Sequence, residues 1–145
     1  MIMKTPDQLL KSLGSTLGQA LAFDGAGQCA LEFSEGSVLV IARAGEGAVS
    51  LRVELMHLDQ KSDCRESTLR CALALNYRQA RPGLSIGFDP RSSLLVLHGF
   101  FTEGTEADFV DTLTAMLDAA AEVRHELMAV APEPALAAGV QWLRG

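Results

Sequence analysis

The 145-residue sequence predicts an α+β fold with elements in the order α-β-β-β-α-β-β-α and a twisted, mainly antiparallel sheet carrying three helices. Two observations lead there. Strand-like runs come in hairpin-connected groups, over 29–57 and 84–101, rather than alternating singly with helices. Three stretches with helical spacing each begin at a capping signal, near Thr5, Asp63 and Thr105. Hydrophobic residues at 48% and charged residues at 21% suit one globular domain and exclude a disordered chain.

The first helix starts at Thr5-Pro6-Asp7-Gln8: a cap, a proline at the first helical position, and a glutamine three residues after the cap. Leu9, Leu10, Leu13, Leu17 and Leu21 fall on one arc. Gly14 and Gly18 sit at its edge, each costing about 1 kcal/mol relative to alanine. They leave a shallow notch, open either to another backbone or to ordinary packing. "FDGAGQ" breaks the chain, and three strands follow: "CALEF" at 29–33, "VLVIAR" at 38–43 and "VSLRVELMH" at 49–57. The last alternates Val49, Leu51, Val53 and Leu55 against Ser50, Arg52 and Glu54, the cleanest period-two signal in the chain.

Asp63-Cys64-Arg65-Glu66 resembles a capping box for a second helix running to about Asn76. Cys64, Thr68, Cys71 and Leu75 share one face, while Leu69 and Leu73 lie on another, so one sheet cannot cover both. "LSIGFD" at 84–89 alternates, and "LLVLHGFF" at 94–101 is apolar on both faces, as strands buried on both sides or covered by a partner are. Thr105 caps the long third helix, with Phe109, Leu113, Met116, Leu117, Ala120, Val123 and Leu127 as its stripe. Residues 1–131 read as a single domain. Residues 132–145, interrupted by proline and carrying Trp142, read as a mobile or weakly helical tail.

The net charge of −6 is concentrated at one end. Residues 1–100 hold ten acidic and ten basic side chains, and residues 101–145 hold eight acidic against two basic. Such a surface repels phosphate backbones and argues against a nucleic-acid partner. It suits a basic or amphipathic polypeptide, or serves solubility alone. No apolar stretch is long enough to span a bilayer, which argues against membrane insertion. The start lacks the continuous apolar core of a signal peptide, and three cysteines without a CxxC suggest a reducing compartment; a cytoplasmic location is expected.

Candidate chemistry is sparse. His57, Cys64 and Cys71 are evenly spaced, but no close-set ligand pair anchors a metal site. Cys71 lies among Ala72, Leu73 and Leu75, surroundings that raise a thiol pKa rather than activate it. "GAG" and "GEG" are turn sequences without the Lys-Ser/Thr of a phosphate loop. No catalytic residue, metal or cofactor is expected, and the chain does not read as an enzyme.

A capped amphipathic first helix, a three-strand meander, a helix ending "ALALN", then "GLSIGFDPRSSLLVLHGFF" and a long acidic helix together resemble the class I chaperones of bacterial type III secretion, the Tir-chaperone family. The resemblance covers about residues 5–128. It implies a homodimer in the bacterial cytoplasm that binds the N-terminal segment of a cognate secreted effector in extended form, without nucleotide. On that reading Leu10, Leu13, Leu17, Leu31, Phe33, Leu39 and Ile41 would floor an effector groove, with Val96 and His98 as a second patch. The dimer contact would use Leu69, Leu73 and Asn76, extended by Leu95 and Leu97. A small-ligand-binding or regulatory α+β domain with the same element order is the alternative.

Overall fold

The computed structural model describes residues 5–45, 47–58, 64–78 and 83–130. Asp63 and the tail from residue 132 lie outside them, and so do the expectations attached to both. The eight elements are α1 (Pro6–Leu17), β1 (Gln28–Glu32), β2 (Val38–Arg43), β3 (Val49–His57), α2 (Arg65–Arg78), β4 (Ser85–Asp89), β5 (Leu94–Phe101) and α3 (Glu106–Val130), in the expected order. The strands form one antiparallel sheet in the order β1-β2-β3-β5-β4.

Helix α1 begins as its first residues dictate. The Gln8 N–H donates to Thr5 Oγ1 at 3.2 Å, and the Thr5 N–H donates to Gln8 Oε1 at 2.9 Å. Two of the helix's orphan donors are thereby satisfied. The helix ends at Gly18, whose φ of 74° is a left-handed conformation that glycine adopts at little cost. Gln19 N–H then donates to Gly14 O at 2.9 Å, and the chain doubles back over the helix. A Cβ on Gly14 would sit 2.5 Å from Gln19 O and 3.2 Å from Leu21 N. The Gly14 side of the notch is therefore taken by the chain's own next segment, while Gly18 meets nothing within 4 Å.

One apolar row crosses the whole sheet: Leu31 pairs with Leu39, Leu39 with Val53, Val53 with Leu97, and Leu97 with Ile86. Alternation along each strand puts Cys29, Ile41, Val49, Leu51, Leu95 and Phe101 on that same face. All three helices cover it. α3 lies against β3 and β5, α2 packs on α3 and β4, and α1 packs on α3. The α3 stripe reaches the core as expected, with Phe109, Leu113, Met116, Ala120, Val123 and Leu127 buried. Where β3 and β5 lose register between Glu54 and Met56, Arg124 of α3 donates to Leu55 O at 2.9 Å and Glu54 O at 2.7 Å. The irregular strand end gains partners that the ladder does not supply.

This register corrects several expectations. Leu95 and Leu97, expected in a contact between copies, are 1% and 3% exposed inside the core beneath the helices. Leu10 and Ile41, expected on the floor of a groove, are likewise core. The two-sided β5 shows why: with large apolar residues in both alternating sets, its pattern does not reveal which set turns inward. Its other set, Val96 and His98, faces away from the helices, where His98 meets exposed Phe100 edge-on at 4.8 Å. In α2, Thr68, Ala72 and Leu75 are buried while Cys71 is half-buried, its Sγ 3.9 Å from Glu126 O.

Gly14→Ala should destabilise the fold by about 1–3 kcal/mol, the usual cost of overpacking, since its new methyl meets backbone rather than a yielding side chain. Gly87→Ala is the control. Its Cβ meets nothing within 4 Å, and a change within about 0.5 kcal/mol is expected in urea unfolding.

Candidate functional site

An apolar cleft of about 100 Å³ opens where α1 stops short of the strands it covers. Its walls come from three places. α1 supplies Leu13, Thr16 and Leu17; the β1–β2 hairpin supplies Leu31, Phe33 and Leu39; α3 supplies Val110, Leu113, Thr114 and Leu117. The Thr16 hydroxyl donates to Ser12 O at 3.3 Å and the Thr114 hydroxyl to Val110 O at 2.9 Å. Both polar groups are thus spent on their own helix, and the lining stays apolar. Leu17 is 40% exposed, a level a core leucine does not show.

The structure gathers five of the residues proposed for a groove: Leu13, Leu17, Leu31, Phe33 and Leu39. It leaves Leu10 and Ile41 beneath them in the core, and it sets Val96 and His98 on the opposite sheet face. Sequence reasoning missed the α3 wall. Leu113 and Leu117 had been counted only as core, and Val110 lies at the stripe's margin. The available signal was that Val110, Leu113, Thr114 and Leu117 recur at spacings of three and four beside the buried stripe.

The same α1–α3 junction continues into a second depression of about 340 Å³, lined by Leu9, Ser12, Leu13, Thr16, Glu106, Ala107, Phe109, Val110 and Asp111. Leu13, Thr16 and Val110 line both, so the two depressions adjoin, one apolar and one carrying Glu106 and Asp111. The Ser12 hydroxyl donates to the Glu106 carboxylate and ties α1 to the start of α3. Asp108, one turn into α3, accepts the Thr105 N–H at 2.7 Å while its own N–H donates to Thr105 Oγ1 at 3.1 Å. Those bonds hold its carboxyl below the usual aspartate range.

The sheet edges beside these features differ. β1 pairs only with β2, so among the described residues its other side is without a strand. In the antiparallel alternation, the Gln28, Ala30 and Glu32 backbone groups point that way. Gln28 O is taken by the Asp24 N–H at 2.8 Å, which leaves Ala30 and Glu32 beside the cleft. At the far edge, Asn76 of α2 blocks β4: its Nδ2 donates to Ile86 O at 2.9 Å and its Oδ1 accepts the Ile86 N–H at 2.7 Å. Asn76 had been expected in a contact between copies, and this is what it does within one chain. α2 nevertheless has a second apolar face, with Leu73 69% exposed, Tyr77 89% exposed and Leu69 half-buried.

Nothing in this arrangement activates a nucleophile. Burial raises the pKa of the Cys29 and Cys71 thiols, reinforced by Asp24 and Glu126 respectively. Among the described residues no group of three or more His, Cys, Asp or Glu is placed to hold a metal ion, and no helix is long and apolar enough to cross a membrane.

The profile of the Tir chaperone protein (CesT) family matches residues 8–124. The chain belongs to that family. The family is one of chaperones, in agreement with a chain that is not an enzyme. The fold of this CesT-family chain is similar to a chain of the ExsC–ExsE complex, at 22% identity and a TM-score of 0.71 over 83% of this chain and 92% of that one. It is similar to a chain of the HopA1–SchA chaperone–effector complex, at 19% identity and a TM-score of 0.61 over 81% and 91%. It is also similar to a chain of the heterodimeric ExoU–SpcU complex from the type III secretion system of Pseudomonas aeruginosa, at 24% identity and a TM-score of 0.60 over 86% and 96%. Among curated proteins no sequence matches the chain.

The Asp108 cap gives the start of α3 a defined response to acid. A carboxylate with a lowered folded-state pKa stabilises above its unfolded value, and that stability is lost as pH falls through the folded value. Asp108→Ala should therefore melt at a lower temperature than the parent at pH 7. The gap should close at pH values below the usual carboxylate range, as followed by circular dichroism.

Proposed function

We propose that this protein is a type III secretion chaperone that binds the N-terminal segment of a cognate effector in extended form. It keeps that segment soluble and competent for secretion, uses no nucleotide or metal, and has no nucleic-acid partner. It acts as a homodimer in the bacterial cytoplasm. The observation that carries this reading is the apolar cleft lying beside the unpaired side of β1. An extended chain entering there finds backbone groups at Ala30 and Glu32 to pair with and a slot for alternate side chains. Membership of the chaperone family and likeness in fold to a chaperone–effector complex support the same reading.

Self-association is assigned to α2. Leu73 and Tyr77 project a compact apolar patch flanked by half-buried Leu69, and a two-fold contact of such patches covers both at once. Leu95 and Leu97 take no part, being already covered.

Co-purification, hydrogen exchange and light scattering test these assignments. The chain should co-purify with the N-terminal segment of the secreted protein encoded next to it. Hydrogen exchange at Ala30 and Glu32 should slow in the complex. Leu17→Asp should abolish co-purification while the chain still unfolds cooperatively, because Leu17 sits 40% exposed at the end of α1 rather than in the core; retained binding would remove the cleft from the mechanism. Light scattering should give twice the 15.5 kDa of one chain. Leu73→Asp should yield monomers or aggregates, and an intact Leu73→Asp dimer would refute the α2 contact.

A further inference from the structure

We propose that Asn76 is the positioning residue of the self-association face: its two hydrogen bonds to Ile86 hold the last turn of α2 in the orientation that presents Leu73 and Tyr77 to a second copy. This rests on the reading of α2 as the contact between copies and adds the device that sets its orientation. At about 100° per residue, the buried side chains Thr68, Ala72 and Leu75 span an arc about 60° wide. Arg65 and Asn76 both fall on one margin of that arc, within about 20° of each other, and Leu69, Leu73 and Tyr77 lie beyond them. Both margin residues are bound. The Arg65 guanidinium donates to Leu58 O at 3.2 Å and stands 5.2 Å from the Phe88 ring centroid, and Asn76 holds the N–H and C=O of Ile86. A polar seam thus runs along α2 between the face it buries and the face it exposes.

The grip beneath α2 is slight, which leaves its orientation to that seam. Of its buried side chains only Leu75 is a large apolar one, and the Thr68 hydroxyl is buried without a hydrogen-bond partner, which weakens the grip further. Apolar contacts are non-directional and tolerate rotation or sliding of a helix; paired bonds to both backbone groups of one residue do not. The place of the clasp matters as well. α2 ends at Arg78, so Tyr77 sits in a terminal turn whose carbonyls lack intrahelical partners and which frays unless tied down. Asn76 lies in that turn, between Leu73 and Tyr77, and ties it to β4. The small depression beside Asn76 is lined by α2, β4, β5 and α3 without an ionisable side chain, and Arg78 is turned about 160° away around the helix. A charge placed at position 76 finds no counter-ion among those residues.

The test is the dissociation constant of the dimer, measured by sedimentation equilibrium on the full chain beside melting by circular dichroism. Four forms are compared: the parent, Asn76→Asp, Asn76→Ala and Leu73→Asp. A carboxylate at position 76 cannot donate to Ile86 O and is set against it, which raises its pKa; once protonated, it again offers a donor and an acceptor. Asn76→Asp should therefore weaken the dimer about tenfold at neutral pH and recover as pH falls towards the carboxylate range. Asn76→Ala should be weakened throughout, and the parent should show neither effect. A role confined to the stability of one chain would lower the melting temperature and leave the dissociation constant of the folded chains unchanged, and that result would overturn the proposal. Leu73→Asp at parental affinity would overturn the α2 contact and this proposal with it. A monomeric Leu73→Asp beside Asn76 variants of parental affinity would overturn the clasp alone. Should the Asn76 variants fail to fold, hydrogen exchange at Ile86 in the parent, above and below the dissociation constant, decides. Equal protection in both supports a clasp set before association, and protection in the dimer alone overturns it.

Discussion

The unbroken apolar row from Leu31 through Leu39, Val53 and Leu97 to Ile86 is the constraint on which the rest of the structure depends. A sheet with one such face needs a cover, and each side chain of the row gains about 1.5–3 kcal/mol from being buried rather than exposed. α3, with 25 residues, is long enough to serve as the principal cover, and Arg124 fastens it to the irregular end of β3. Gly99, at the centre of β5, helps admit it: an added Cβ would stand 2.7 Å from Leu84 and 3.5 Å from the Met116 sulfur. α1 and α2 then fill the ground on either side. α1 has 12 residues, about 18 Å at 1.5 Å per residue, and ends before it covers Phe33 and Leu117. The cleft is the shortfall.

Much of this was legible in the sequence because local rules and the fold agree. Thr5 and Thr105 announced their helices, since caps act over three or four residues. Val49 to Leu55 announced its inner face because one side of β3 is polar. What stayed hidden depends on partners far away in the chain. β5 carries apolar residues in both alternating sets, so only the pairing with β3 and β4 decides that Leu95 and Leu97 face the helices and His98 does not. Asn76 reads as an ordinary helix terminus until Ile86 is brought beside it. The Gly14 notch read as open to some backbone or to ordinary packing, and no local rule states that Gln19–Leu21 is the segment that folds back onto it.

The two edges of the sheet receive opposite treatment, and strand addition depends on that difference. An uncovered edge is a template for any extended chain, the wrong ones included. At β4 the template is withdrawn, because Asn76 satisfies both backbone groups of Ile86 and lays α2 along the margin. At β1 it is kept, but for a short length. Asp24 takes Gln28 O, and the strand ends at Glu32, which leaves a site for one short pairing rather than an edge for open-ended aggregation.

The surplus apolar surface is divided in a way that lets two partners bind at once. The cleft belongs to the β1 end of the sheet, and the exposed Leu73 and Tyr77 belong to α2 at the β4 end. Four inter-strand steps separate those ends, about 19 Å at the usual 4.8 Å spacing, with α3 between them. A partner docked on α2, as proposed for self-association, therefore leaves the cleft of the chain it docks on uncovered. On the proposed two-fold contact each chain keeps its own cleft, so an extended segment that follows the proposed dimer surface meets the apolar slot twice. Two linked weak sites raise overall affinity through effective concentration, with no single contact needing to be tight.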